Sequence, residues 1–174
     1  MNPGECRKIV AKRDDKINFP SSKRFAKFKE KLLEWFVEHG RSFAWREPNS
    51  SLYIRIVSEV LLQRTRAETV SAFILDFLEE YPSWVSLVSV SETELSVSLR
   101  PLGLHHRRAT SLQRFAREVI SRQYIFPSER AELESIPAVG QYVANAILLF
   151  AHSSSTPLLD SGMTRLLRRY FDLS

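Results

Sequence analysis

The stretch Leu133-Glu-Ser-Ile-Pro-Ala-Val-Gly-Gln-Tyr-Val-Ala-Asn-Ala146 decides the fold of this chain. It predicts a short helix, a tight turn from Pro137 to Gly140, and a second helix over 141–152. Such a turn leaves the first amides of the second helix unpaired, and with the helix dipole they can bind a phosphate. Gly140 would let the backbone approach that phosphate without a Cβ in the way. An ordinary helix–turn–helix connection has the same spacing.

The rest of the chain also predicts helices, because apolar residues recur at three- and four-residue steps and Gly or Pro ends each run. No segment shows strand alternation between turn signals. We therefore predict an all-α fold. The remaining predicted helices cover about 22–39, 52–64, 67–80, 84–90, 92–99, 107–123, 128–135 and 160–171.

Composition limits the class of protein. The net charge is +5, and 100–124 holds six arginines and one acid, whereas 76–99 holds five acids and no Lys or Arg. This segregation predicts a basic face for a polyanion, although a solvated helix would also explain it. Cys6 is the single cysteine, which excludes a disulfide framework and a metal or iron–sulfur site built from cysteines of this chain. Without a membrane-length apolar run or a signal-peptide core, we expect an intracellular protein, cytoplasmic or nuclear.

Several segments, taken in chain order, resemble one family. Ile136-Pro-Ala-Val-Gly140 resembles the Leu-Pro-Gly-Val-Gly hairpin of the helix-hairpin-helix DNA glycosylases, endonuclease III among them. Leu159-Asp-Ser-Gly-Met-Thr-Arg165 resembles that family's Val-Asp-x-Asn-x-x-Arg segment, and Ser58-Glu-Val-Leu-Leu-Gln-Arg-Thr65 its Ser-Glu-x-Leu-Leu-Gln-Gln-Thr helix. Phe43-Ala-Trp-Arg46 resembles a Leu-Pro-Trp-Arg element, and Leu102-Gly-Leu-x-x-x-Arg-Ala109 a further one. The resemblance covers about residues 28–172.

The resemblance implies two helical lobes with a cleft between them. We expect residues 49–155 to form a six-helix lobe with the hairpin at about 128–152, and 22–48 with 156–174 to form the second lobe. Residues 1–21 are expected to be a flexible basic arm. Because family members generally continue past the matching aspartate, the second lobe is expected to be incomplete. An exposed apolar patch is then expected at Trp35, Phe36, Leu166, Leu167 and Phe171.

Three residues are the catalytic candidates. The resemblance implies that Asp160 stabilises the positive sugar formed as the glycosidic bond breaks, chemistry that needs a nearby carboxylate; it could instead only cap the last helix. Glu59 lies among apolar residues, which would raise its pKa and let it protonate a departing base; it could instead lie at a solvent edge. Tyr142 stands where bifunctional members carry a Schiff-base lysine, which implies hydrolysis without lyase activity. A core tyrosine is the alternative.

The candidate DNA-binding residues lie in three segments. The resemblance implies that Gln63 fills the stack when a base is flipped out, and Arg64 resembles the thymine-mismatch branch of the family. The hairpin contributes Pro137, Val139, Gly140 and Gln141 as phosphate contacts. Arg107 and Arg108 begin the basic helix, where a DNA-facing role and a solvated helix start are both open. A metal site at the neighbouring His105 and His106 is not expected.

Two positions depart from the family pattern. Ala138 replaces the first hairpin glycine, which would cost about 1–2 kcal/mol if that position has a positive φ. Gly162 replaces an asparagine after the aspartate. No cofactor is expected in this chain, and a 4Fe–4S cluster is possible only if the native protein continues beyond Ser174.

The sequence thus predicts a monomeric, monofunctional DNA glycosylase of base excision repair that acts on a mismatched base in double-stranded DNA. Arg64 and the Gly103-Leu104 pair favour thymine or uracil opposite guanine as its substrate. Adenine opposite oxidised guanine is an alternative that Ser58-Glu59 keeps open. An inactive DNA-binding remnant, or a truncated fragment, is a further alternative.

Overall fold

The computed structural model describes residues 20–173, and every regular element in that range is a helix. These residues form two compact units, one of 41–160 and one of 20–40 together with 161–173. None of the described helices is both long and apolar enough to cross a membrane. The α-helices are α1 (Ser22–His39), α2 (Leu52–Leu62), α3 (Ala67–Glu80), α4 (Trp84–Ser89), α5 (Glu92–Ser98), α6 (His105–Ser121), α7 (Arg130–Glu134), α8 (Gln141–His152) and α9 (Ser161–Phe171).

The observed units differ from the expected lobes at their boundaries. Residues 41–48 and 156–160 belong to the unit that contains the hairpin. Within the described residues that unit has seven α-helices rather than six, with short 3-10 helices at Ala44–Arg46 and Arg100–Leu102. Most of the expected basic arm, residues 1–19, lies outside the described range. Ser21 belongs with α1, because its hydroxyl accepts the Arg24 amide as an N-cap.

Two helix ends near the candidate site differ from their predicted positions because of the backbone conformation of the adjoining residues. α2 ends at Leu62 rather than Arg64, because Gln63 leaves the helical conformation at ψ 113° and Arg64 then adopts the left-handed one at φ +59°. α6 begins at His105 rather than Arg107, directly after Leu104, which is left-handed at φ +49°. A helix of L-residues cannot continue through such a residue. Both connections are therefore fixed as sharp turns.

The larger unit is built around a continuous apolar core. α2 packs against α8, while α6 packs against α4 and α5. Ile56, Phe77, Phe115 and Ile147 are among its fully buried side chains. The buried Gln113 amide donates to the carbonyls of Leu87 and Val90, so the polar group inside this core is satisfied. This core holds α2 and α8, the two helices that carry Glu59 and Tyr142, side by side.

The smaller unit has less buried surface. Phe171 is buried against the rings of Phe25 and Phe28, and the Arg24 guanidinium donates to the Tyr170 carbonyl at 2.5 Å. The expected exposure of Phe171 is therefore wrong, because these rings cover it. On α1 no residue is buried. Trp35, Phe36 and Leu166 are 55%, 52% and 42% exposed, as expected, and Leu167 is half-buried.

Candidate catalytic and DNA-binding site

Glu59 is a buried carboxyl group in the middle of α2. Its side chain is only 6% exposed, and its Oε2 atom has no hydrogen-bond partner among residues 20–173. Burial raises the pKa of Glu59, while a hydrogen bond from the Tyr142 side chain and the charge of Arg46 act in the opposite direction. The solvent-edge alternative is therefore wrong. A carboxyl group in this environment can hold a proton and donate it.

Tyr142 lies at the start of α8 and is half-buried next to Glu59. Burial, the Glu59 carboxylate and the charge of Asp160 raise the pKa of Tyr142 far above its ordinary value, and Arg46 opposes them. The phenol therefore stays protonated at neutral pH and acts as a hydrogen-bond donor rather than a nucleophile. Because the charges of Glu59 and Asp160 both raise the pKa of Tyr142, we assign these three residues to one candidate site.

Asp160 ends the larger unit, after an extended connection from α8. Asn145, one turn along α8 from Tyr142, is buried and donates its amide to the Pro157 carbonyl at 2.9 Å. The Arg130 guanidinium of α7 in turn donates to the Asn145 side-chain oxygen. The hairpin helices thus fix the connection a few residues before Asp160.

Arg46 is a site residue that the sequence reasoning missed. It lies in the short helix Ala44–Arg46, which packs on α2, and its guanidinium carbon lies 5.1 Å from the centre of the Phe43 ring. Its charge favours the ionised form of both Glu59 and Tyr142. The Trp-Arg element of the family resemblance was the available signal. That element implied no role for Arg46, because the sequence does not show which distant residues come close together in the fold.

The hairpin presents its amides at the surface. α8 begins after Gly140 with no side-chain cap among residues 20–173, so its first amides keep their donors for a ligand. A Cβ at Gly140 would meet no atom of the described residues within 4 Å, which leaves open space there. Pro137, Gly140 and Gln141 are exposed. Val139 is a correction: its side chain is buried in the core and its amide donates to the Ile136 carbonyl, so it has neither group free for DNA.

Ala138 adopts the positive φ that the sequence analysis considered, at +67°. Its carbonyl accepts a hydrogen bond from the Gln63 amide at 3.0 Å. Gln63 therefore connects the end of α2 to the hairpin. Both residues border a pocket of about 320 Å³ in the larger unit. The other residues lining it are Val60, Leu61, Arg64, Leu104, Arg107, Arg108, Ser111 and Leu112.

The two arginines that begin α6 have different surroundings. Arg107 is exposed at the pocket and is free to contact DNA. Arg108 is half-buried, and its guanidinium donates to the carbonyls of Gly103, Leu61 and Gln63. Its predicted DNA contact needs these same donors, so the geometry favours a structural role for Arg108. Arg64 and Gln63, for which DNA contacts are also predicted, have exposed side chains beside the pocket.

The fold and this site match one family. The family model described as HhH-GPD superfamily base excision DNA repair protein matches residues 57–174. The chain belongs to this superfamily, and with it to the DNA-binding proteins of base excision repair.

Relatives and a solved structure narrow the comparison. The chain is 33% identical to the thymine/uracil-DNA glycosylase of Pyrobaculum aerophilum over 156 residues, 88% of this chain and 67% of that protein. It is 32% identical to an adenine DNA glycosylase of Mycobacterium tuberculosis, over 79% of this chain and 45% of that protein. A thermostable thymine-DNA glycosylase structure aligns with a TM-score of 0.76 at 25% identity, over 87% of this chain and 72% of that one. The chain thus spans between about half and three quarters of these proteins.

Proposed function

We propose that this chain is a monofunctional DNA glycosylase that hydrolyses the N-glycosidic bond of a mismatched base in double-stranded DNA inside the cell, acting as a monomer. The observation that carries this proposal is the buried Glu59 carboxyl, with its raised pKa, beside a Tyr142 hydroxyl that also responds to the charge of Asp160. The two carboxyl groups have different environments, as an acid and a charged stabiliser require.

The proposed reaction uses both carboxyl groups. The carbon–nitrogen bond breaks with its electron pair leaving on the base, and the Glu59 proton neutralises that base. The Asp160 carboxylate stabilises the oxocarbenium-like sugar. A water then adds to the sugar, and its proton passes to Asp160. Tyr142 keeps its proton and holds the Glu59 carboxyl in place by hydrogen bonding.

The absence of lyase activity is part of the proposal. Schiff-base formation needs an amine, and Tyr142 at the matching position of α8 offers a phenol whose pKa is raised. An iron–sulfur cluster, which the family resemblance associates with four cysteines, does not fit these residues, because Cys6 is the single cysteine of the sequence. The proposed steps pass through no such group.

Thymine or uracil opposite guanine is the proposed substrate. Arg64 and Leu104 border the pocket beside α2. Together with Gly103, they resemble the residues of the thymine-mismatch branch of the family. The relative in Pyrobaculum aerophilum is named for thymine and uracil. Adenine opposite oxidised guanine is the second candidate, because the buried acid Glu59 suits a leaving base that needs a proton and because an adenine glycosylase is also a relative.

The test is a panel of end-labelled duplexes, each with one mismatch or one uracil or oxidised guanine, incubated with the protein under single-turnover conditions. We expect strand breaks after alkali at thymine or uracil opposite guanine, and none without alkali. Borohydride should trap no covalent complex. Breaks at adenine alone would favour the second candidate, and a trapped complex would contradict the monofunctional mechanism. Inactivity on every duplex, with Asp160→Asn behaving identically, would overturn the proposed function.

A further inference from the structure

We propose that Arg108 is a positioning residue that holds the 63–65 turn and the 103–104 turn at a fixed separation. It thereby sets how strictly the enzyme distinguishes the base opposite its target. Only the statement about discrimination of the opposite base rests on the proposed function. Both turns border the pocket that Val60 and Leu61 of α2 also line, so their separation determines the width of that pocket.

The hydrogen bonds of Arg108 reach both turns. Its Nε donates to the Gly103 carbonyl at 2.9 Å, on the turn that precedes α6. Its Nη1 donates to Leu61 at 3.2 Å, and its Nη2 to Gln63 at 3.0 Å and to the Thr65 hydroxyl at 2.5 Å. A guanidinium has five N–H donors in a rigid plane, and four of them bond here. A lysine has no comparable geometry and cannot span both turns.

The charge of Arg108 also sets it apart from a structural ion pair. No carboxylate forms a salt bridge with it within residues 20–173, and carbonyl and hydroxyl oxygens are its partners. Burial lowers the pKa of Arg108 accordingly. An unpaired, partly buried cation is costly for folding. The cost of this charge is explained if Arg108 orders a basic surface that binds a polyanion.

Both turns contain a strained residue that borders the pocket. Arg64 has φ +59° and Leu104 has φ +49°, a conformation that is unfavourable for side chains with a Cβ. Such strain persists only where surrounding contacts determine the backbone. The carbonyls that Arg108 binds come directly before these two residues, at Gln63 and Gly103. Arg108 therefore stabilises the strained turns at the points where they leave regular structure.

The hairpin is coupled to the same arrangement. Gln63, whose backbone carbonyl Arg108 binds, donates its side-chain amide to Ala138, which is left-handed at φ +67° and also borders the pocket. Three left-handed turns from different parts of the sequence are thus connected through Arg108 and Gln63. A shift at Gly103 would reach the hairpin through these two side chains.

The experiment compares Arg108→Lys with Arg114→Lys, an exposed arginine on the same helix. The first readout is hydrogen exchange at the Thr65 and Gly103 amides, which donate to Leu62 and Arg100. We expect exchange at both to become at least about tenfold faster in Arg108→Lys, since several bonds are lost. Exchange at Leu87, whose amide donates to the Ser83 carbonyl at the start of α4, should not change. The Arg114→Lys variant should match the wild type at all three amides.

The second readout is the ratio of single-turnover rates for thymine opposite guanine and thymine opposite adenine. We expect Arg108→Lys to lower this ratio at least about tenfold at temperatures well below its unfolding midpoint. A merely structural role would lower the midpoint and leave the ratio unchanged. Thr65→Val, which removes one acceptor of Arg108, should change both readouts in the same direction by less. It also keeps the test usable if Arg108→Lys does not fold.

The competing role is a phosphate contact, and the salt dependence of duplex binding tests it. Arg108→Gln should leave the slope of log affinity against log salt unchanged, whereas loss of a phosphate contact lowers it by about one. A lowered slope, or unchanged exchange at Thr65 and Gly103 in Arg108→Lys, would overturn the positioning role. Exchange needs no catalysis. If no duplex were cleaved by the wild type, the proposed function would fail while the exchange data still decided on Arg108.

Discussion

Glu59 and Arg64 are close in sequence and differ in almost every physical respect. Glu59 lies inside α2 with an ordinary helical backbone, and its buried side chain has one oxygen without a hydrogen-bond partner in the described part of the chain. Arg64 lies just past the end of that helix with a left-handed backbone, and its side chain is exposed. At Glu59 the unfavourable energy is in a buried polar group. At Arg64 it is in the backbone.

This difference separates two tasks of the larger unit. A proton donor needs a fixed position and a shifted pKa, and a rigid buried helix provides both. Residues proposed to contact DNA need exposed side chains on turns, and the strained turns at Arg64 and Leu104 provide these beside one pocket. Local rules of sequence and structure are broken in both regions, as is common at functional sites. The predictions below test whether substitutions in the two regions have separate effects on base removal, DNA binding and stability.

The largest expected effect is the loss of base removal in Asp160→Asn with DNA binding retained. The amide keeps the size of the side chain and removes the charge that is proposed to stabilise the sugar cation. We expect a fall of about 10³-fold or more in the single-turnover rate on the preferred duplex. The dissociation constant for the same duplex should change less than about threefold, because phosphate contacts dominate affinity. A mutant with the wild-type rate would make Asp160 only a helix cap.

Glu59→Gln is expected to have a smaller effect on the rate, of about 10²-fold. Because the proposed reaction uses protonated Glu59, the wild-type rate should fall as pH rises through the raised pKa of this group. An amide side chain does not titrate, so this alkaline decline should disappear from the pH profile of the variant. The matched control is Tyr53→Phe on the same helix, which removes a hydroxyl that donates to the Tyr81 carbonyl. This control should keep the wild-type profile.

The Glu59→Gln substitution should affect stability in the opposite direction to activity. Burial raises the pKa of Glu59 in the folded state, so the protonated form is favoured there. Its stabilisation is complete below the unfolded pKa and is lost as pH rises through the folded pKa. Glu59→Gln should therefore unfold at the wild-type temperature near about pH 4 and at a higher one near about pH 8. A lower midpoint at both pH values would mean that the carboxylate is well solvated.

The sequence predicts the local features of this molecule better than its long-range contacts. The second hairpin helix has the expected bounds, Gln141–His152, and Ala138 has the positive φ that its place in the motif left open. Both depend on neighbouring residues in the chain. The apolar neighbours of Glu59 in the sequence already indicated its burial. The inward guanidinium of Arg108 and the effect of Arg46 on Glu59 depend on packing between distant segments. One sequence does not contain that information in a readable form.

The smallest expected effect concerns the backbone side of the comparison. Ala138→Gly removes a Cβ from a left-handed position, which relieves about 1 kcal/mol of strain. Glycine also gives the unfolded chain more freedom, which offsets about half of that gain. The net expectation is an increase in the free energy of unfolding of about 0.5 kcal/mol, with the Gln63 hydrogen bond to the residue 138 carbonyl retained.

The control for this change is Ala72→Gly in the middle of α3, where alanine is exposed and helical. That substitution should lower the free energy of unfolding by about 1 kcal/mol, because glycine is a poor helix residue. Equilibrium denaturation of both variants gives a difference of opposite sign from the same chemical change. If Ala138→Gly were as destabilising as Ala72→Gly, the left-handed turn would carry no strain. Arg64 and Leu104 share the left-handed conformation of Ala138, so they too would then need no stabilisation by Arg108.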